Sequence, residues 1–360
     1  MLPWLSEHFG NPSSNHVYGY RTREAVVIAR QQVAELIGCL PDEIYFTSGG
    51  TESNNLAIYG VTAARPDRKR IITSVIEHPA TEMPCKFLQE HGFQISWTGV
   101  DETGMVKLDA IESSISQATS LVTIMHANSE TGTLQPIREI ADIAHSHGAI
   151  MHTDAAQTTG KIRYSVDELG VDLLSIVGHK MYAPKGIGAL YVRSGTDIAP
   201  QSLGGGHEQG LRSGTENVPY IVALGQACKI AREDGELANE RIRQLRDDLW
   251  NALNQKIPGL VLNGHPELRL PNTLNVRFPG VSGNILLAHA PEIAASTGSA
   301  CHAEDESASA VIKAMGLTET QALGSVRLTL GRGTSVDDIG VAVESLVRAY
   351  ELVELRSQRS

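Results

Sequence analysis

The sequence predicts an α/β fold, with a large α/β domain over residues 10–230 and a smaller α+β domain over 231–360 on which residues 1–9 pack. Two observations predict it. Short apolar runs at 43–47, 70–75, 94–97, 121–126, 150–154, 173–177 and 189–192 alternate with helical stretches such as 23–37, the segment from Ser53 onward and 137–147. That alternation places helices on both faces of a sheet. After Pro219 the texture changes. Residues 221–256 are rich in Ala, Glu, Arg and Leu with apolar positions every three or four residues, so they read as long helices. Strands at 273–278 and 325–330 and helices at about 307–315 and 336–354 complete the second domain. A ligand is expected at the carboxyl ends of the strands.

Composition narrows the function. The 360 residues are 41% hydrophobic and 20% charged, ordinary for a globular protein. The net charge of −11 argues against a nucleic-acid backbone as a direct partner. No apolar run is long enough for a membrane span, and the opening MLPWLSEHFG lacks the marks of a signal peptide. Cys39, Cys85, Cys228 and Cys301 lie far apart without CxxC or CxH spacing, so neither a metal site nor a disulfide framework is expected, and a reducing cytoplasm fits.

Three segments carry residues suited to chemistry. The run FTSGGTESN, Phe46 to Asn54, follows a strand and opens a helix. Its glycines permit a tight turn whose N–H groups attract phosphate, although an ordinary capped strand-to-helix turn looks the same. HTDAAQ ends a buried strand on Asp154, which either caps the next helix or meets a cation. Val177-Gly178-His179-Lys180 ends another strand in a Gly-rich turn. A lysine there is either solvated or desolvated enough to form a Schiff base.

Taken in this order, the three segments resemble the fold-type I pyridoxal 5′-phosphate (PLP) enzymes of the class V aminotransferase superfamily, and closely the cysteine desulfurases of the NifS/IscS type. The likeness covers nearly the whole chain. It includes Gly10-Asn11-Pro12-Ser13-Ser14, TSGGTESNNLAI from Thr47, Glu77-His78, HANSETG from His126, HTDAAQ from His152, GHKMYAPKGIGALYVR from Gly178, GGGHEQGLRSGTEN from Gly204, STGSAC from Ser296 and Ser325-Val326-Arg327.

The resemblance implies a PLP-dependent transferase whose large domain carries a mixed, mostly parallel seven-stranded sheet. It makes Lys180 the Schiff-base lysine, Asp154 the partner of the pyridine nitrogen and Gln157 the partner of the ring hydroxyl. His78 would stack on the ring and take part in proton transfers. Gly50, Thr51 and His179 would hold the phosphate, with Thr215 reaching the neighbour's PLP in a homodimer. Arg327 would bind the substrate carboxylate as a bidentate fork, with Asn128 beside it in the substrate site. Two positions depart from the pattern: Val177 stands where the family carries Ser, and Ser129 where it carries Asn. Met1-Leu2-Pro3 looks like the interior of a longer family sequence.

Cys301 selects the reaction, since PLP alone is only an electron sink. It sits in a small-residue, polar stretch that reads as an exposed loop, the setting of reactive rather than structural thiols. The likeness then implies L-cysteine as substrate. Lys180 removes the Cα proton, and the Cys301 thiolate takes the sulfur as a persulfide, leaves L-alanine and passes the sulfur to an acceptor protein, as in iron–sulfur cluster biosynthesis. The alternatives are a selenocysteine lyase, a cysteine C–S lyase or another class V aminotransferase. A weakly or non-catalytic scaffold for sulfur transfer is an alternative of another kind.

Overall fold

In a computed structural model that describes residues 1–298 and 308–357, the chain divides into two units. The first comprises 1–98, 108–126 and 136–236; the second comprises 99–107, 127–135 and 237–360. Residues 1–9, expected to pack on the smaller domain, group with the first unit.

The first unit runs α1 (Leu2–Ser6), α2 (Val17–Ile37), β1 (Ile44–Thr47), α3 (Gly50–Ala64), β2 (Arg70–Ser74), α4 (Pro79–Glu90), β3 (Gln94–Thr98), α5 (Leu108–Ser114), β4 (Thr119–Thr123), α6 (Ile137–Ser146), β5 (Ile150–Asp154), α7 (Val166–Leu169), β6 (Leu173–Val177) and β7 (Gly188–Val192), then enters α8 (Val218–Lys256). The sheet order is β1-β7-β6-β5-β4-β2-β3. β3, β2, β4, β5 and β6 pair in parallel, and β7 runs antiparallel to both β6 and β1. β1 therefore points the same way as β6, and six strands open their carboxyl ends on one edge. β4 to β7 are buried along their whole length, which is why apolar residues fall on both of their faces rather than alternating with exposed polar ones.

Leu56, Ile58 and Val61 of α3 pack with Ile71, Leu121, Ile150, Leu173 and Leu190 of the strands in one buried cluster. Local signals end the helices. α2 stops at Gly38, whose φ of 71° is the left-handed cap that glycine adopts without strain. α7 starts with a capping box in which Ser165 and Glu168 satisfy each other's backbone N–H at 3.1 and 2.8 Å.

The second unit contains β8 (Val261–Asn263), β9 (Thr273–Arg277), α9 (Gly283–Ala288), α10 (Ala310–Ala314), α11 (Glu319–Leu323), β10 (Ser325–Thr329) and α12 (Val336–Ser357). Its sheet is antiparallel in the order β10-β9-β8. Leu253, Leu274, Val276, Leu328 and Leu346 are among its core residues. The segment 127–135 joins this unit through backbone bonds from Leu134 N to Leu268 O and from Leu270 N to Gly132 O, both 2.9 Å.

Three sequence expectations change. β4 begins at Thr119 rather than Leu121, β8 is an additional strand, and the helices expected over 221–256 are one helix of 39 residues. Among the described residues no helix is long and apolar enough to cross a membrane.

Candidate active site

β1 and β6 end level with the start of β7: Thr47 and Val177 both lie opposite Gly188. The turn after β1 consequently rests against the end of β6. A Cβ on Gly50 would lie 2.5 Å from Val177 Cγ2, and one on Gly188 would lie 2.8 Å from Gly49 Cα, so both positions require glycine for close approach. Gly49 caps α3 at φ 145° and no side chain caps its first turn. The turn is braced from below by Thr47 Oγ1 and Ser53 Oγ, 2.8 Å apart. The N–H groups at the start of this 15-residue helix therefore face outward with the favourable end of the helix dipole behind them.

Beside this turn, a 3-10 turn over Gly178–Met181 carries His179 and Lys180, both exposed. Partial burial, then the charges of Lys180 and Lys185, hold the His179 pKa below its ordinary value.

Next to β6, β5 ends on Asp154, opposite Ser175. Asp154 is 8% exposed, and its carboxylate accepts from Asn54 Nδ2 at 2.7 Å and from Ala156 N at 2.9 Å. Asn54 also donates to Thr81 Oγ1 at 3.1 Å, so it ties α3 and the start of α4 to the carboxylate.

His78 caps α4 with Nδ1 accepting from Ala80 N at 3.1 Å. An accepting Nδ1 leaves the neutral ring's proton on Nε2. Glu77 beside it is buried. Its carboxyl accepts from Ser74 Oγ at 2.6 Å and from Met125 N at 3.1 Å. Burial, reinforced by the charge of Asp154, pushes the Glu77 pKa up to about 8 against those hydrogen bonds. Gln157 follows Asp154 by three residues, and its side-chain oxygen meets Lys161 Nζ at 3.2 Å. Thr215 lies on an exposed loop; three residues earlier Arg212 grips Glu52 of α3 at 2.7 and 3.2 Å.

The second unit holds the two expected substrate residues. Arg327 Nη1 donates to Ser129 O at 3.2 Å and Nη2 to Ser296 Oγ at 3.0 Å. Burial lowers its pKa and the charge of Glu130 opposes that. Asn128 is buried with Oδ1 accepting from the N–H groups of Glu130 and Thr131 at 2.9 and 3.0 Å, an Asx turn that commits this oxygen to the loop. Cys301 lies outside the described residues.

The first unit thus brings together Gly50, Thr51, Asp154, Gln157, His179, Lys180 and His78. Asn54, the proton-holding Glu77 and Lys161 belong to the same cluster and went unassigned in the sequence. Asn54 was visible only as part of the turn motif, one helical turn beyond Gly50. The donor set suits PLP: uncapped helix amides for a phosphate, a buried carboxylate with acceptor capacity left for a ring N–H⁺, and a primary amine at an adjacent strand end.

Known proteins resemble the chain along nearly all of its length. The family description "Aminotransferase class-V" matches residues 1–341. A cysteine desulfurase IscS of Dictyoglomus turgidum is 45% identical over 354 residues, 98% of this chain and 90% of the relative. A cysteine desulfurase IscS 1 of Archaeoglobus fulgidus is 46% identical over 98% of this chain and 92% of its own. Among solved structures, a NifS-like protein superposes with a TM-score of 0.90 at 35% identity, covering 98% of this chain and 94% of that one. With a family match across most of its length, near-full-length relatives and the same mixed sheet, this chain belongs to the class V aminotransferase family.

Proposed function

We propose that the protein is a PLP-dependent cysteine desulfurase that converts L-cysteine to L-alanine and carries the released sulfur on Cys301 to an acceptor protein. The observation that carries this reading is the convergence of the α3 turn, Asp154 and Lys180 at adjacent strand ends, in a chain whose relatives bear that name across nearly all of it. PLP, when bound, supplies the electron sink that makes a substrate Cα–H acidic.

Each residue has a defined task. The amides of Gly50 and Thr51, with His179, hold the phosphate, and Thr215 adds a hydroxyl from the second subunit of a homodimer. Asp154, fixed by Asn54, keeps the ring nitrogen protonated. Lys180 anchors the cofactor and moves the Cα proton at Nζ. His78, with its proton on Nε2, stacks on the ring and serves the leaving sulfur. Gln157 donates to the ring oxygen. Arg327 and Asn128 take the substrate carboxylate. Sulfur transfer balances without an oxidant: the substrate Cβ–Sγ bond breaks, an S–S bond forms to Cys301, and Cβ keeps the electron pair and gains a proton. The products are alanine and a persulfide. Four cysteines without pairing spacing suit a reducing, cytoplasmic setting.

The test is the visible spectrum of the purified protein before and after L-cysteine, with alanine and sulfane sulfur assayed together. A PLP band and equal yields of the two products, both lost in Cys301→Ser, are expected. Alanine still forming in Cys301→Ser would assign the chain to a different class V reaction, and a protein without a PLP band would overturn the proposal.

A further inference from the structure

After Asp154 the backbone folds into stacked turns. Thr158 N and Thr159 N both donate to Ala155 O at 3.1 and 3.0 Å, and Lys161 N and Ile162 N both donate to Thr158 O at 2.9 and 3.1 Å. This winding puts Lys161 one turn beyond Gln157, with Nζ donating to Gln157 O at 2.9 Å and to Gln157 Oε1 at 3.2 Å. The chemistry of the pair decides which way the glutamine faces. The ammonium form of Lys161 has three donors and no acceptor, so while it is protonated the amide atom turned toward it must be the oxygen. The amide N–H groups are then left on the opposite side. Without Lys161 the two ends of the amide are close in size, so its oxygen and nitrogen could exchange places.

We propose that Lys161 is a positioning residue whose Nζ holds Gln157 Oε1, so that Gln157 presents N–H groups and not its carbonyl to the ring oxygen of bound PLP. The inference rests on the PLP reading above and names a residue that reading does not use. A purely structural reason for lysine here is weak. Burial, and then the positive charge of Lys180, push the Lys161 pKa down to about 7, so the fold tolerates an ammonium at this position only at the expense of solvation and against a like charge. A neutral side chain would fill the same space without either penalty. A donor-only group is what the orientation of Gln157 requires.

The test uses the full chain and reads the pH midpoint of the visible band of the PLP-loaded protein, together with the thermal unfolding of the cofactor-free protein. In Lys161→Met the midpoint is expected to rise by about half a unit to one unit, the size of one lost hydrogen bond to that oxygen. Lys161→Arg, which keeps the donors, is expected to restore it. Because losing a nearby charge would also raise the midpoint, the double variant Gln157→Ala/Lys161→Met discriminates. If Lys161 acts through Gln157, the double variant shifts no further than Gln157→Ala alone. An unchanged midpoint in Lys161→Met, or two shifts that add, overturns the proposal. Should Lys161→Met fail to fold, Lys161→Ala replaces it, since it also removes every side-chain donor, and the same shift is required of it. Absence of any visible band in the unaltered protein would count against the PLP reading itself and so is distinguishable from failure of the role given to Lys161.

Discussion

Glu77 shows how one buried carboxyl protects the charge of another. Its pKa of about 8, raised by burial and by Asp154, keeps it mostly protonated at neutral pH, so a second negative charge is not held beside Asp154. Stability must record this. Between the unfolded value of 4.5 and the folded value of about 8, the native state binds a proton that the unfolded state has released. Stability from this group is therefore fully present below 4.5, falls as pH rises through the window, and is flat above it. The slope is at most about 1.4 kcal/mol per pH unit. We expect Glu77→Gln in the cofactor-free protein to lack that slope. Measured by urea unfolding at several pH values, its stability relative to the unaltered protein should improve by roughly 1 kcal/mol per pH unit across the window. Parallel curves for the two proteins would mean that Glu77 is ionised in the fold. The Glu77-His78 pair was legible as a motif, but the protonation of Glu77 was not, because it depends on burial by distant parts of the chain and on Asp154 arriving from β5.

At the scale of elements, the turn that precedes Thr215 is held by an ion pair that no local pattern announces. Arg30 of α2 grips both oxygens of Glu208 at 2.8 and 2.7 Å, donates to Ile44 O of β1, and lies 4.7 Å over the ring of Phe46. Glu208 in turn accepts from Phe46 N at 2.8 Å, and its side chain is 1% exposed. The backbone at Glu208 and Gln209 has φ of 46° and 54°, a left-handed conformation that costs non-glycine residues free energy and persists only where neighbours enforce it. Arg30→Met should destabilise by about 3–5 kcal/mol, because it leaves a buried carboxylate without a cation. Arg30→Met combined with Glu208→Met should recover most of that loss. Denaturant unfolding of the unaltered protein and these two variants checks it, and a single-variant loss below about 1 kcal/mol would mean that the turn stands without the clamp. Arg30 and Glu208 are 178 residues apart, which explains why the sequence could not show the pair. The strands were legible because β4 to β7 are buried throughout and carry apolar residues on both faces. β8 escaped because it has only three residues, one of them exposed, and α8 was divided in reading because Gly235 sits within a polar stretch of an otherwise continuous helix.

For the molecule as a whole, the placement of its thiols bears directly on sulfur transfer. The motifs that ordered the reading are local strings at strand ends, so the residues clustered in the first unit were visible in sequence, whereas the orientation of Gln157 and the Asx turn of Asn128 needed three dimensions. Cys301 rested on its polar surroundings and on the likeness carried by STGSAC. The other three cysteines sharpen that assignment. Cys85 and Cys228 are buried within α4 and α8, and Cys39 is half-buried just after the left-handed cap of α2. Burial pushes each of these thiols up to about 12, helped at Cys39 by Glu43 and Asp167 and at Cys85 by Glu77 and Glu82. At pH 8 a thiol with that pKa is thiolate to the extent of about one part in ten thousand, and only the thiolate is nucleophilic. None of the three is fit to carry sulfur. Under native conditions a thiol reagent such as DTNB should therefore react quickly with one thiol per chain. Cys301→Ala should abolish that phase, and denaturant should expose all the remaining thiols. Fast labelling that survives Cys301→Ala would place a reactive thiol at Cys39, Cys85 or Cys228, and the assignment of the sulfur carrier would then have to move with it.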